Sequence, residues 1–159
     1  MTRRHHLLAG ILGLLSMNAT LAYAEQGWQS EWGMGITSAW VDLGPGNHIS
    51  VSCTGGYGQP IAGVEFMLGG RTAPANSLVT VTVDAQYPLE IPVNDAGILT
   101  SDNRVEAQWF DVLLVALKEG RSAYVRFSDG TGARFSLAGS GEAIGYCPAD
   151  FWRTDLDRS

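Results

Sequence analysis

Cys53 and Cys147 are the only two cysteines in the 159-residue chain. Whether they are joined constrains the fold more than any other feature, because a bond between them would hold two distant segments side by side. The compartment decides whether such a bond persists, and the N-terminus speaks to compartment. MTRRHH is a positive start, LLAGILGLL an apolar core, and Ala22-Tyr23-Ala24 a small-x-small cleavage site. Residues 1–24 therefore read as a signal peptide cleaved after Ala24, leaving 25–159 as a single mature domain. The apolar run is too short to span a bilayer, and Asn18 and Thr20 interrupt its continuation. Thr2-Arg3-Arg4 has the start of a twin-arginine signal, but His5 and His6 stand where that pattern wants an aromatic or leucine. No cysteine is placed at the cleavage site to carry a lipid. The expected location is the periplasm or the exterior.

In an exported chain an even cysteine count points to a disulfide, here Cys53–Cys147. It would close a loop of about 95 residues, which the chain-entropy model values at about 4–5 kcal/mol. A redox pair would normally be spaced as Cys-x-x-Cys. A metal pair would have only His48 to join it as a soft ligand.

Hydrophobic spacing is strand-like over most of the mature chain. Ile49, Val51 and Cys53 alternate with His48, Ser50 and Ser52, and Gly55-Gly56-Tyr57-Gly58 marks a loop. Val64, Phe66 and Leu68 alternate next, then Val79, Val81 and Val83. Tyr87, Leu89, Ile91 and Val93 repeat the period, with Pro88 and Pro92 assigning that piece to an edge. The period changes after Ala107. Trp109, Phe110, Leu113, Leu114 and Leu117 fall on one helical stripe, with Asp102 or Asn103 as cap and Gly120 as stop. A hairpin follows, with Ala123, Val125 and Phe127 going out, Asp129-Gly130-Thr131-Gly132 turning, and Phe135 and Leu137 returning. Ser140 then caps a short helix carrying Ala143, Ile144 and Cys147 inward. The fold class is α+β: a mainly antiparallel sheet of six or seven strands, one amphipathic helix, a short C-terminal helix and one disulfide.

Candidate chemistry is sparse. The GxGxxxG run from Gly139 to Gly145 has the form of a phosphate turn, but no strand follows to complete a βαβ unit and Glu142 sets a like charge there. His48 is the sole histidine of the mature chain, and it shares a strand face with Ser50 and Ser52. No GxSxG nucleophile turn accompanies it. Asp84, Glu90, Asp95, Asp102, Glu106 and Asp111 could supply a carboxylate pair, although their spacing matches no active-site motif. Asn94-Asp95 and Asp102-Asn103 lack the order of an EF-hand. No catalytic residue, metal ligand or cofactor is assigned. Five tryptophans remain. Trp109 has a core place on the helix, and Trp40 packs in the strand at 36–41. Trp28 and Trp32 lie among small and polar residues and are the candidates for partner contact.

The segments WFDVLLVALKEG and YVRFSDGTGARFSLAGSGEAIGYC resemble the C-terminal half of small exported bacterial proteins, among them the invasion-associated locus B family and the type VI secretion-associated periplasmic proteins. A hydrophobic helix, strand, turn, strand and a Leu-x-Gly-small, Ala, Cys ending recur there. The earlier cysteine in HISVSC resembles the second group more closely. The likeness covers about 50 residues and implies a periplasmic accessory or binding protein, with no catalytic residue to carry over.

Removing Arg3 and Arg4 with the signal leaves eight basic and sixteen acidic residues, a net charge of −8. An acidic surface without basic clusters disfavours nucleic acid and anionic membranes as partners. The expected function is therefore non-catalytic binding of another protein or an envelope component. The alternatives are an inhibitor or immunity protein against an envelope-attacking enzyme, and a small hydrolase built on acidic residues. The leader makes the first prediction: exported protein has the intact mass of a chain starting at Glu25, and a retained N-terminus would remove the argument for an oxidising compartment.

Overall fold

The computed structural model describes residues 27–54 and 62–152. The expected signal peptide and the loop at 55–58 lie outside the described residues. Ten strands and two helices follow in the order β1 (Gln29–Gly33), β2 (Ile36–Asp42), β3 (His48–Thr54), β4 (Gly63–Leu68), β5 (Arg71–Thr72), β6 (Leu78–Val83), β7 (Leu89–Pro92), β8 (Ile98–Thr100), α1 (Arg104–Glu119), β9 (Ser122–Arg126), β10 (Gly132–Ser136) and α2 (Ser140–Ile144). Asp150 opens a further helical turn. The fold is α+β with antiparallel pairing throughout, as the spacing implies. Its strands divide between two sheets. The first runs β1-β2-β3-β4, with β5 and β8 pairing to separate stretches of β4. The second runs β10-β9-β6-β7, which puts the proline-flanked β7 at an edge.

Period-two spacing sets which side of each strand meets the core. Ala39 and Val41, Ile49, Val51 and Cys53, and Val64, Phe66 and Leu68 are buried from the first sheet. Val79 and Val81, Ile91, Ala123 and Val125, and Phe135 are buried from the second, and one continuous core joins them. A one-residue slip of β3 would turn Ile49 and Val51 to water, so the register is strongly specified. Trp40 sits between Ala39 and Val41 and so lies on the opposite face of β2, only partly buried. Tyr87 departs from the strand pattern. It is 94% exposed, because Asp84 and Ala85 both take positive φ and end β6 in a turn that delays β7 until Leu89.

Helix α1 starts where Asn103 accepts the Glu106 N–H at 3.0 Å. Ala107, Phe110, Leu113, Leu114 and Leu117 form its core stripe. Each large side chain of that stripe contributes roughly 1.5–3 kcal/mol by burial. The helix stops at Gly120 for want of space. The backbone there is extended (φ −77°), and a Cβ would overlap Val83, Leu137 and the Ala116 carbonyl.

The last described stretch, residues 139–152, is tied down at several points. Ser140 does not cap α2. Gly139 holds the cap position, and the buried Ser140 hydroxyl lies 2.7 Å from the carbonyls of both Leu117 and Leu137. Gly145, at φ 56°, ends α2, so Cys147 sits beyond the helix rather than on its inner face. The disulfide to Cys53 is present, with Cα atoms 5.3 Å apart across 94 positions. Past it, Ser101 receives the Asp150 N–H and donates to the Ala62 carbonyl, while the Trp152 indole donates to Asp111 at 2.7 Å.

Side-chain contacts tie segments of one sheet to those of the other. The Trp28 indole donates to the Ser136 carbonyl at 3.1 Å, and Arg71 donates to Asp129 at 2.8 Å. The Thr131 backbone N–H, followed by the Thr131 hydroxyl and Arg71, holds the Asp129 carboxyl below its usual range.

Because the bridge closes so long a loop, Cys53→Ser and Cys147→Ser should each cost on the order of 4 kcal/mol. The double variant should lose little more, since one bond accounts for both losses. Denaturant unfolding of the three variants decides this; clearly additive losses would mean that each thiol has a separate role.

Candidate functional site

Five of the six candidate carboxylates, all but Asp95, are occupied as structural acceptors. Asp84 receives the backbone N–H groups of Arg121 and Ser122 at 2.9–3.1 Å. Glu90 accepts from Thr80, the Thr100 hydroxyl lies within hydrogen-bonding distance of both Asp102 and Glu106, and Asp111 accepts from Trp152. His48 pairs across the β2–β3 ladder with Asp42 at 2.7 Å, and neither Ser50 nor Ser52 joins the pair. Asn94 folds back on its own turn by accepting from Ala96 and Ile98 N–H. Among the described residues no three His, Cys, Asp or Glu side chains gather as metal ligands. The glycine turn at 139–145 docks α2 onto α1 through Ser140, and Lys118 donates to the Gly145 carbonyl at 2.9 Å.

The two tryptophans proposed for partner contact are separated in role. Trp28 is half-buried against the core and bonded to Ser136, whereas Trp32 is 73% exposed near the tip of the β1–β2 hairpin.

A different surface has the shape of a site. Helix α1 carries a second apolar stripe facing away from its core stripe. Val105, Val112 and Val115 are 61%, 48% and 54% exposed. Valine is a mediocre helix former because its β-branch restricts χ1 against the preceding turn. At an exposed helix position it gains neither propensity nor burial, so stability gives no reason for three of them. Where the stripe meets the β6–β7 turn there is a groove of about 360 Å³. Val112, Val115, Ala116 and Glu119 line one side; Val83, Asp84, Gln86, Tyr87 and Leu89 line the other. That volume lies in the range of ligand sites, roughly 300–1,000 Å³.

The far wall is held in a costly shape. Asp84 and Ala85 have φ of 48° and 58°. A non-glycine residue in that region costs on the order of 1–2 kcal/mol. The cost is offset by a set of backbone bonds: Asp84 N–H to the Ser122 carbonyl at 3.0 Å, Gln86 N–H to the Val83 carbonyl at 2.9 Å, and the Asp84 carboxylate to the α1–β9 link. The groove wall is thus fixed by the chain's own backbone and carboxylate bonds.

Reading the sequence for one core stripe on α1 left Val105, Val112 and Val115 unremarked. The available signal was valine at exposed helical spacing, opposite the Phe110–Leu117 face.

A family model described as YfjT matches residues 26–144, about three quarters of the chain. The chain therefore belongs to the YfjT family. None of the curated proteins and none of the solved structures matches it.

Asp84→Ala should remove the carboxylate bonds and a residue type that tolerates positive φ, lowering stability by about 1–3 kcal/mol. Asp84→Asn, which keeps one acceptor oxygen and that tolerance, should lose less. Thermal unfolding of both variants tests this, and equal stability of Asp84→Ala and the native protein would mean that the turn is not held by this side chain.

Proposed function

We propose that the chain is exported, loses residues 1–24, and works in the periplasm or outside the cell as a non-catalytic binding protein for another protein or an envelope component. One observation carries this reading: the outward apolar face of α1, which opens into a groove against the β6–β7 turn. Exposed apolar residues gathered on one helix face beside a groove are characteristic of docking surfaces. The Cys53–Cys147 bond suits an oxidising compartment. No helix among the described residues is long and apolar enough to cross a membrane. The likeness of the C-terminal half to type VI secretion-associated and locus B proteins agrees with an accessory role. A second reading, an inhibitor or immunity protein facing a basic enzyme, draws on the acids Asp84 and Glu119 at the groove.

The test is a double variant, Val112→Asp with Val115→Asp. Both side chains are already about half exposed, so the folded state should be altered by no more than about 1 kcal/mol. Partner recovery from periplasmic extract should fall sharply beside the native protein, while the melting temperature holds. Undiminished recovery would show that binding, if any, uses another surface such as Trp32.

A further inference from the structure

We propose that the groove receives an amphipathic helix of a partner polypeptide, with apolar side chains against Val112, Val115 and Tyr87 and a basic side chain paired with Glu119. This rests on the binding reading above and names the occupant of that site.

The stripe's shape suits a helix. Val105 to Val115 spans ten residues of α1, about 15 Å at 1.5 Å per residue, with the groove at its C-terminal end. Another helix laid along it can present apolar side chains at i, i+3, i+4 and i+7 spacing. An added strand is disfavoured on the opposite side. Pro88 and Pro92 flank and end β7, and neither has an N–H to offer a ladder.

Charge selects the partner's other face. Glu119 is the last residue of α1, where the helix end is already negative, so its charge is unfavourably placed for the helix itself. No cation is bonded to it among the described residues. Asp84 stands on the facing wall, and no basic side chain lines the groove. Lys118, the chain's only lysine, is engaged by the Gly145 carbonyl. An incoming lysine or arginine would pair with the Glu119 carboxylate, to which Lys118 is not bonded, whereas an acidic helix would be repelled by it. The surplus of acids across the mature chain would also speed encounter with a basic partner.

The experiment uses the mature native protein and two fluorescent synthetic helices about 15 residues long. One is built from leucine and lysine, the other from leucine and glutamate. Anisotropy titration should show binding of the leucine–lysine helix, weakening as salt rises, and none of the leucine–glutamate helix. Val112→Asp with Val115→Asp should weaken it at least about tenfold. These changes add negative charge, so that loss cannot come from lost attraction to a cationic probe. Glu119→Gln should weaken it about threefold and flatten its salt dependence. Three outcomes would overturn the proposal: no binding of the leucine–lysine helix, equal binding by the double aspartate variant, or a concentration-dependent dimer that the aspartates dissolve, which would put a second copy in the groove. If the synthetic helix fails while the same aspartates still abolish recovery of the natural partner, the occupant is wrong and the binding reading stands.

Discussion

The Cys53–Cys147 bridge links β3, an interior strand of the first sheet, to the stretch just past α2, and the groove wall depends on what it holds. The bridge anchors the stretch just past α2. α2 in turn meets the last turn of α1 through the Ser140 hydroxyl at the Leu117 carbonyl and through Lys118 at Gly145. Glu119 and Gly120 lie beside those contacts and form the end of the groove. A covalent constraint on one sheet thereby fixes the position of a surface that includes residues of the other. The opposite wall is set by Asp84, whose carboxylate grips the Arg121 and Ser122 N–H groups just beyond the same helix. Both walls converge on the α1–β9 link, so they are held together as a unit.

The local economy of this region is unusual for a fold otherwise ruled by burial. Phe110, Leu113 and Leu117 are fully buried and account for the helix's attachment. The groove residues do the reverse: valines half in water, a carboxylate at a negative helix end, and two residues in the left-handed region. Each departure is small, yet all act against stability and all fall in one place. Stability-opposing features gather where a surface is shaped for contact.

Strand periodicity made most of the fold legible. The inward faces of β3, β4, β6 and β9, the edge position of β7, the capped α1 and the β9–β10 hairpin all follow from alternation, prolines and turn residues. The division into two sheets did not follow, because alternation shows which face is buried and not which strands pair. Tyr87 continued the period in sequence but not in space, since Asp84 and Ala85 bend the chain in a way usually left to glycine or asparagine. Ser140 had the chemistry of a cap, but its hydroxyl reached two carbonyls in the core. The cysteines were legible because few arrangements were open to them. The groove was not, because it needs α1 and the β6–β7 turn side by side, and no local pattern encodes that meeting. Of the two flagged tryptophans, Trp32 is exposed, while Trp28 spans the gap between the sheets by bonding to Ser136.

An exposed valine stripe beside a groove is also a hazard, because identical copies carry the same apolar face. The acidic balance of the chain bears on this directly. Two copies meeting through this face would bring Asp84 and Glu119 of each near those of the other, and their like charges would oppose the apolar gain. A net charge of −6 over the whole chain, which would become −8 on removal of residues 1–24, adds a longer-ranged repulsion before contact. The same charges that disfavour self-association favour a basic apolar partner. In the proposed binding, acidic residues at the groove would discriminate by a difference in affinities, disfavouring like copies and favouring a complementary helix, which neither the valines nor the acids alone would achieve.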